Sequence, residues 1–333
     1  MNNRERFRRV MNFEPVDRLP AIEWATWWDK TIAAWQEQGL EPEQYEGMSA
    51  GESLQKQFGL DLHQQCWLGI TTAATPRPAS HGAPVITSEE DYERILPTLY
   101  PAEVDVSAFR RFRPRYDSGE AITWLTLDGF FWGPRELMGI EPHLYAFYDK
   151  PDLMHRINRD IAEYNLRVID SVCRVLTPDF MTIAEDMSYN NGPMLSEEMF
   201  DEFLLPYYDI IVPELKRRGI RVFIDSDGDI SRALPWFERA GIEGILPLER
   251  QAGVDLAALR REHPRTLFIG HFDKMTMPRG EAAMRAEFER LSPVMRQGGF
   301  LPSVDHQTPP GVTLANYRIY LRLLREYVEK AHC

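Results

Sequence analysis

Val222-Phe223-Ile224-Asp225-Ser226-Asp227-Gly228-Asp229 is the stretch on which the reading of the whole chain turns. Together with Ile220, its apolar residues Val222, Phe223 and Ile224 have the pattern of a short buried strand. The strand stops in three carboxylates, interleaved with Ser226 and with a glycine that lets the chain turn sharply. Like charges this close need a solvated turn, a cation or a hydrogen-bonded cage. A solvated turn, with Asp229 capping the helix that follows, would satisfy them. Several later strands also end in polar residues, and that repetition points to a shared face.

Around this strand the chain alternates regularly. A long helix after Pro151 leads to Phe180-Met181-Thr182-Ile183-Ala184, which ends in Glu185-Asp186. A helix from Ser196 ends in the basic turn Lys216-Arg217-Arg218 and Gly219, a C-terminal stop. Further on come Gly244-Ile245-Leu246-Pro247-Leu248-Glu249, then Thr266-Leu267-Phe268-Ile269-Gly270 with His271 and Asp273. Gly299-Phe300-Leu301-Pro302 follows, with Asp305 and His306, and a last helix spans 312–330. Upstream, Ala121–Leu127 is a strand ending in Asp128-Gly129-Phe130-Phe131-Trp132, and Ala21-Ile22-Glu23-Trp24 reads as the first strand. Helices are expected at 2–11, 29–38 and 50–58, and a strand with a hairpin excursion at 61–88.

Strand–helix alternation implies parallel strands joined by crossovers. Counting from Ile22 gives eight strands, the number that a (β/α)8 TIM barrel needs. No composition break marks a second domain, so residues 1–333 read as one α/β barrel domain with an N-terminal helical and hairpin elaboration. In such barrels the strand ends gather on the face that carries chemistry.

Bulk properties narrow the function. A net charge of −13 argues against nucleic acid and anionic membrane as partners. The apolar runs are too short to span a bilayer, and Met1–Arg9 lacks the apolar core of a signal peptide. The three cysteines, Cys66, Cys173 and Cys333, are scattered without a Cys-x-x-Cys pair, which suits a reducing cytoplasm. The other histidines, among them His143 and His332, have no ligand spacing.

The strand ends offer Glu185, Asp186, Asp225, Asp227, Glu249, His271, Asp273, Asp305 and His306. This suits a cation site or paired acid and base groups. Asp225, Asp227 and His306 would make a site of two carboxylates and one imidazole for Zn²⁺, Mn²⁺ or Fe²⁺. His271, Glu249 and Asp186 are the candidate acids and bases. Trp24, Trp27, Trp28, Phe131 and Trp132, with Glu185 and Asp305, are the candidate substrate contacts.

The same residues resemble the uroporphyrinogen decarboxylase superfamily, which includes corrinoid-linked methyltransferases such as methylcobamide:coenzyme M methyltransferase. The resemblance rests on Arg4-Glu5-Arg6-Phe7 with Pro15–Pro20, on Glu185-Asp186 with Gly192–Ser196, on Gly270–Lys274, and on Gly298-Gly299-Phe300 with Asp305-His306 and Pro309-Pro310. It covers essentially the whole chain and implies a (β/α)8 barrel and frequent dimerisation.

Two departures qualify it. Where the decarboxylases carry an Arg-Gln-Ala-Gly-Arg run for a polycarboxylate, this chain has Glu23-Trp24-Ala25-Thr26-Trp27-Trp28, and the position of their catalytic Asp falls near Trp67-Leu68, without an acid. The methyltransferases carry zinc-binding His-x-Cys-Gly where Asp225-Ser226-Asp227-Gly228 stands, and a cysteine where His306 stands. The resemblance therefore implies metal-assisted methyl transfer or demethylation on a small substrate, with harder ligands. Any corrinoid would be carried by a partner protein, because the chain has no Asp-x-His-x-x-Gly motif. The competing readings are a lyase on a small carboxylated molecule, with His306 as proton donor and Arg135 or Arg250 as anchor, a glycosidase, and a non-catalytic ligand-binding barrel.

Overall fold

The computed structural model describes residues 1–331; His332 and Cys333 lie outside the described residues. Among the described residues nine strands occur: β1 (His63–Leu68), β2 (Ile122–Asp128), β3 (Phe180–Ala184), β4 (Ser188–Tyr189), β5 (Gly192–Pro193), β6 (Arg221–Asp225), β7 (Gly244–Leu246), β8 (Leu267–Phe272) and β9 (Phe300–Val304). β4 and β5 form a small antiparallel hairpin. The other seven follow one another in chain order through a single sheet. β2–β3, β3–β6, β7–β8 and β8–β9 pair in parallel, and helices connect them. This is the α/β topology of a TIM-type barrel.

The chain divides into two compact units. One comprises residues 1–64, 111–123 and the chain from Gly244 onward; the other comprises 65–110 and 124–243. In the first unit the helices Asn3–Met11, Asp29–Glu37 and Ala50–Gln57 lie where the sequence places them. The expected first strand does not form a ladder. Within residues 20–24, Ala21 accepts from the Asp61 N–H (2.9 Å) and the Trp24 N–H donates to Ser303 Oγ (3.1 Å). The segment is tied to β9 through side chains. The closing helix Leu314–Lys330 starts at Thr313, whose hydroxyl accepts from the Asn316 N–H, and buries Tyr317, Tyr320, Leu321, Leu324 and Val328. Tyr317 packs on Trp35 with ring centres 4.5 Å apart.

In the second unit the helix Pro151–Cys173 starts on a proline, whose missing N–H costs nothing there. It buries a stripe of Leu153, Ile157, Ile161, Val168 and Val172. The stretch after β1, where a hairpin was expected, makes one antiparallel bridge, Thr71 to Leu99. No helix among the described residues is long and apolar enough to cross a membrane.

Candidate functional site

Strand parity sorts the carboxylates of the second unit. The register aligns Asp128 with Ala184 and Ala184 with Asp225, so these three positions share a face with Trp124, Thr126, Thr182 and Phe223. That face is partly polar: Trp124 Nε1 donates to Thr182 Oγ1 (2.8 Å) and Gln65 Nε2 to Thr126 Oγ1 (2.9 Å). Leu125, Leu127, Met181, Ile183, Val222 and Ile224 take the opposite face, toward the helices. Glu185, one residue past β3, follows this second set.

Glu185 is therefore not where a substrate contact was expected. Its carboxylate is wholly buried and accepts N–H bonds from Phe130 (2.9 Å), Phe131 (2.7 Å) and Trp132 (3.2 Å), the entry to the helix Trp132–Met138. Tyr208, on the helix Leu205–Arg217, donates to it as well. Burial pushes its pKa up to about 7 against the pull of these donors. Gly129 makes the approach possible, since a Cβ there would lie 2.2 Å from the Glu185 carboxyl carbon. Phe131 is likewise core: it is fully buried against His143 (4.7 Å) and Phe147 (6.2 Å). Trp132 is half-buried, with the Arg135 guanidinium 5.2 Å from its ring centre.

The loops after β3 and β6 bring together Asp186, Asp225 and Asp227. Asp186 turns the chain with φ of 42°, a conformation that Asp tolerates better than most residues. Its Oδ1 accepts from the Asp227 N–H (3.3 Å), and its own N–H reaches the Asp225 carbonyl (3.4 Å). Burial, then the charges of Asp186 and Asp227, hold the Asp225 carboxyl well above the usual range. Arg135 donates to the Asp186 carbonyl (3.1 Å). Gly228 is required where it stands: φ is 82°, and a Cβ would meet the Ser188 main chain at 2.7 Å. Asp128 and Trp67 were not among the expected site residues, yet buried Asp128 accepts from Trp67 Nε1 (2.7 Å) and the Ile70 N–H (2.8 Å). A count of strand parity on β2 would have placed Asp128 on the polar face.

In the first unit, Trp24 and Trp28 meet His306 edge-on, with ring centres 6.5 and 6.4 Å away. Trp24 Nε1 donates to the Val304 carbonyl (2.6 Å), and Trp28 Nε1 donates to Gln307. Trp27 turns inward instead, onto Trp35, Phe58 and Tyr317. A groove of about 730 Å³ is lined by Trp27, Trp28, Asp29, Lys30 and Pro310. Beneath Trp24, buried Glu23 accepts from the Ser303 hydroxyl, the Val304 N–H (3.3 Å) and Tyr317 (3.5 Å), and burial pushes it up to about 7.

Two other expected site residues are structural ties. Asp305 is fully buried and binds the Arg250 N–H (3.0 Å), the Lys274 N–H (3.2 Å) and Lys274 Nζ (3.3 Å), joining the ends of β7, β8 and β9. His271 is also fully buried: Nδ1 lies 2.8 Å from the Leu248 carbonyl and Nε2 lies 3.1 Å from an Arg290 nitrogen. Nδ1 therefore carries the proton, and Nε2 accepts. Burial lowers its pKa to about 4, and both nitrogens are committed, so it does not serve as the acid or base expected of it. Glu249 is half-buried after β7.

Of the expected metal ligands, Asp225 and Asp227 belong to the second unit and His306 to the first. Among the described residues no group of three His, Cys, Asp or Glu side chains is arranged to hold a metal ion.

A family model described as uroporphyrinogen decarboxylase (URO-D) matches residues 134–327. None of the curated proteins compared matches the chain. Among solved structures, a methyltransferase from Methanosarcina mazei aligns over 98% of this chain and 99% of its own, with a TM-score of 0.64 and 16% identity. At that identity the likeness establishes the fold alone. A B12-independent methionine synthase from Shewanella sp. W3-18-1 aligns over 69% of this chain and 67% of its own, with a TM-score of 0.47 and 12% identity. A putative vitamin-B12 independent methionine synthase from Listeria monocytogenes covers 95% and 98%, with a TM-score of 0.47 and 11% identity.

Proposed function

The chain belongs to the uroporphyrinogen decarboxylase family, and from that premise we propose that it is an enzyme that removes or transfers a methyl group on a small substrate. The observation that carries this reading is the carboxylate group Asp186, Asp225 and Asp227 at the strand ends of the second unit. Three carboxylates repel a polycarboxylate such as a porphyrinogen, and they suit a neutral or cationic methylated molecule. The name of the Methanosarcina mazei neighbour supports the same direction.

Loss of a methyl group from a neutral donor such as a methoxy group leaves an anionic heteroatom that takes a proton, whereas an ammonium donor leaves as a neutral amine. For a neutral donor we assign the supply of that proton to Asp225, whose carboxyl is held above the usual carboxylate range by burial and by the charges of Asp186 and Asp227. The methyl acceptor in this reading is a corrinoid carried by a separate protein, while the chain's own residues hold the substrate and the proton.

The carboxy-lyase alternative draws on Arg135, whose Nε has no hydrogen-bond partner and could receive a carboxylate. Incubation with a panel of methylated amines, methoxyarenes and small carboxylic acids separates the two readings, with reduced cobalamin or a thiol as acceptor and mass-spectrometric detection. Demethylated product from the wild type, reduced at least about 100-fold by Asp225→Asn, is the expected result. Release of CO2 without methyl loss would overturn it in favour of the lyase.

A further inference from the structure

Trp67 is an anomaly on the edge of the second unit. It lies one residue from the end of β1 and is 49% exposed, although a tryptophan gains most from burial. Exposed rings are usually mobile, but this one is anchored. Its Nε1 donates to Asp128 Oδ1 at 2.7 Å, and Asp128 is itself 7% exposed. The second oxygen of Asp128 accepts the Ile70 N–H at 2.8 Å, so the carboxylate cannot swing away from the indole. Gly69 leaves the space that this arrangement needs, since a Cβ there would lie 2.9 Å from Asp128 Oδ2. A buried carboxylate, a main-chain N–H and a glycine together fix one exposed ring.

The position of the ring points to what it meets. Asp128 pairs across to Ala184 and Ala184 to Asp225, so Asp225 lies two strand spacings, about 10 Å, from Asp128 along the same edge and face. The edge therefore carries an aromatic surface at one end and the carboxylates Asp186, Asp225 and Asp227 at the other. The nearby cation, Arg135, is turned onto Trp132 and the Asp186 carbonyl. A negative field beside an indole favours an organic cation over a neutral ring.

We propose that Trp67 is a substrate-contacting residue, that Asp128 is the residue positioning it, and that the ligand seated on the indole is a small N-methylated ammonium ion. This deepens the methyl-transfer reading by naming a substrate class, and it rests on that reading for the fate of the ligand but not for its binding. Asp128 acts through Trp67 by holding the plane of the ring.

Isothermal titration of the full chain with choline and with its neutral isostere, 3,3-dimethyl-1-butanol, tests the proposal without turnover. Choline should bind about ten-fold more tightly than the isostere, and Trp67→Ala should remove about that factor while Trp67→Phe keeps most of it. Because the Trp67 ring is half exposed, Trp67→Ala should keep the fold, which its thermal unfolding curve checks. Asp128→Asn should weaken choline binding several-fold in the wild type and have no further effect in Trp67→Ala, a coupling that a general loss of structure would not produce. Equal affinity for choline and the isostere, tighter binding of anisole than of choline, no choline binding at millimolar concentration, or wild-type affinity in Trp67→Ala would each overturn it. Choline binding through Trp67 with no methyl loss from any compound would leave this assignment standing and remove the methyl-transfer reading.

Discussion

Glu185 in one unit and Glu23 in the other look like the same device. Each is buried near the end of a strand or segment, each is pushed up to about 7 by burial, and each meets a tyrosine from a packed helix, Tyr208 or Tyr317. Their donors differ. Glu185 is gripped by three main-chain N–H groups, which can only donate. Glu23 has one such group, from Val304, and otherwise hydroxyls, which can reverse and accept. A proton arriving at Glu23 can sit on Oε2 and be given to Tyr317, so the site adapts. A proton at Glu185 has only the Tyr208 hydroxyl to turn to, and on Oε2 it meets main-chain donors alone and works against the start of a helix. The kind of donor, more than the degree of burial, decides whether a buried carboxyl can titrate in place.

The strongest way to break this comparison is Glu185→Ala. It orphans three N–H groups and the Tyr208 hydroxyl and should cost about 5 kcal/mol by chemical denaturation, whereas Glu23→Ala should cost roughly half as much. Equal losses would mean that donor type is irrelevant.

Next is the pH dependence at Glu23. Its folded pKa, about 7, lies above the ordinary 4.5. The stability it contributes is therefore fully present below pH 4.5 and lost as pH rises through 7, by at most about 3 kcal/mol. Glu23→Gln should flatten that part of the stability–pH curve, and an unchanged slope would contradict the assignment.

Gly129→Ala should cost about 2 kcal/mol through its collision with Glu185, and much less in the Glu185→Ala background. Additive losses would show that the strain lies elsewhere. Smallest is the tyrosine pair: Tyr208→Phe should cost about 1.5 kcal/mol and Tyr317→Phe under about 1 kcal/mol, because the latter's bond is long, 3.5 Å.

Much of the architecture is legible in the sequence. Phe180–Ala184 was expected as a strand and is β3, and the expected strands at 121–127, 220–224, 244–248, 266–270 and 299–302 correspond to β2, β6, β7, β8 and β9 within a few residues. Apolar runs bounded by glycine and by helical periodicity carry that information. The expected first strand, Ala21–Trp24, forms no ladder, because local sequence cannot say whether a neighbour's main chain or its side chain will answer an N–H.

The direction of side chains was harder to read. β2 and β3 are buried on both faces, so no alternation of polarity tells Asp128 from Glu185. Hence Glu185, Phe131 and Trp27 read as lining and proved to be packing, while Trp67 stayed invisible beside a position where no acid was found. Asp305 and His271 read as chemistry because of residue type, and their burial among fixed partners is a tertiary fact.

The segment at residues 20–24 has a kinetic consequence. Most amides in β8 and β9 are locked in a ladder and should exchange with deuterium only when the sheet opens. The 20–28 amides have few main-chain acceptors, with Trp24 answered by a hydroxyl. They should exchange orders of magnitude sooner, through excursions that leave the sheet intact. Trp24 and Trp28 thus ride on a segment of the first unit that can breathe without unfolding anything else.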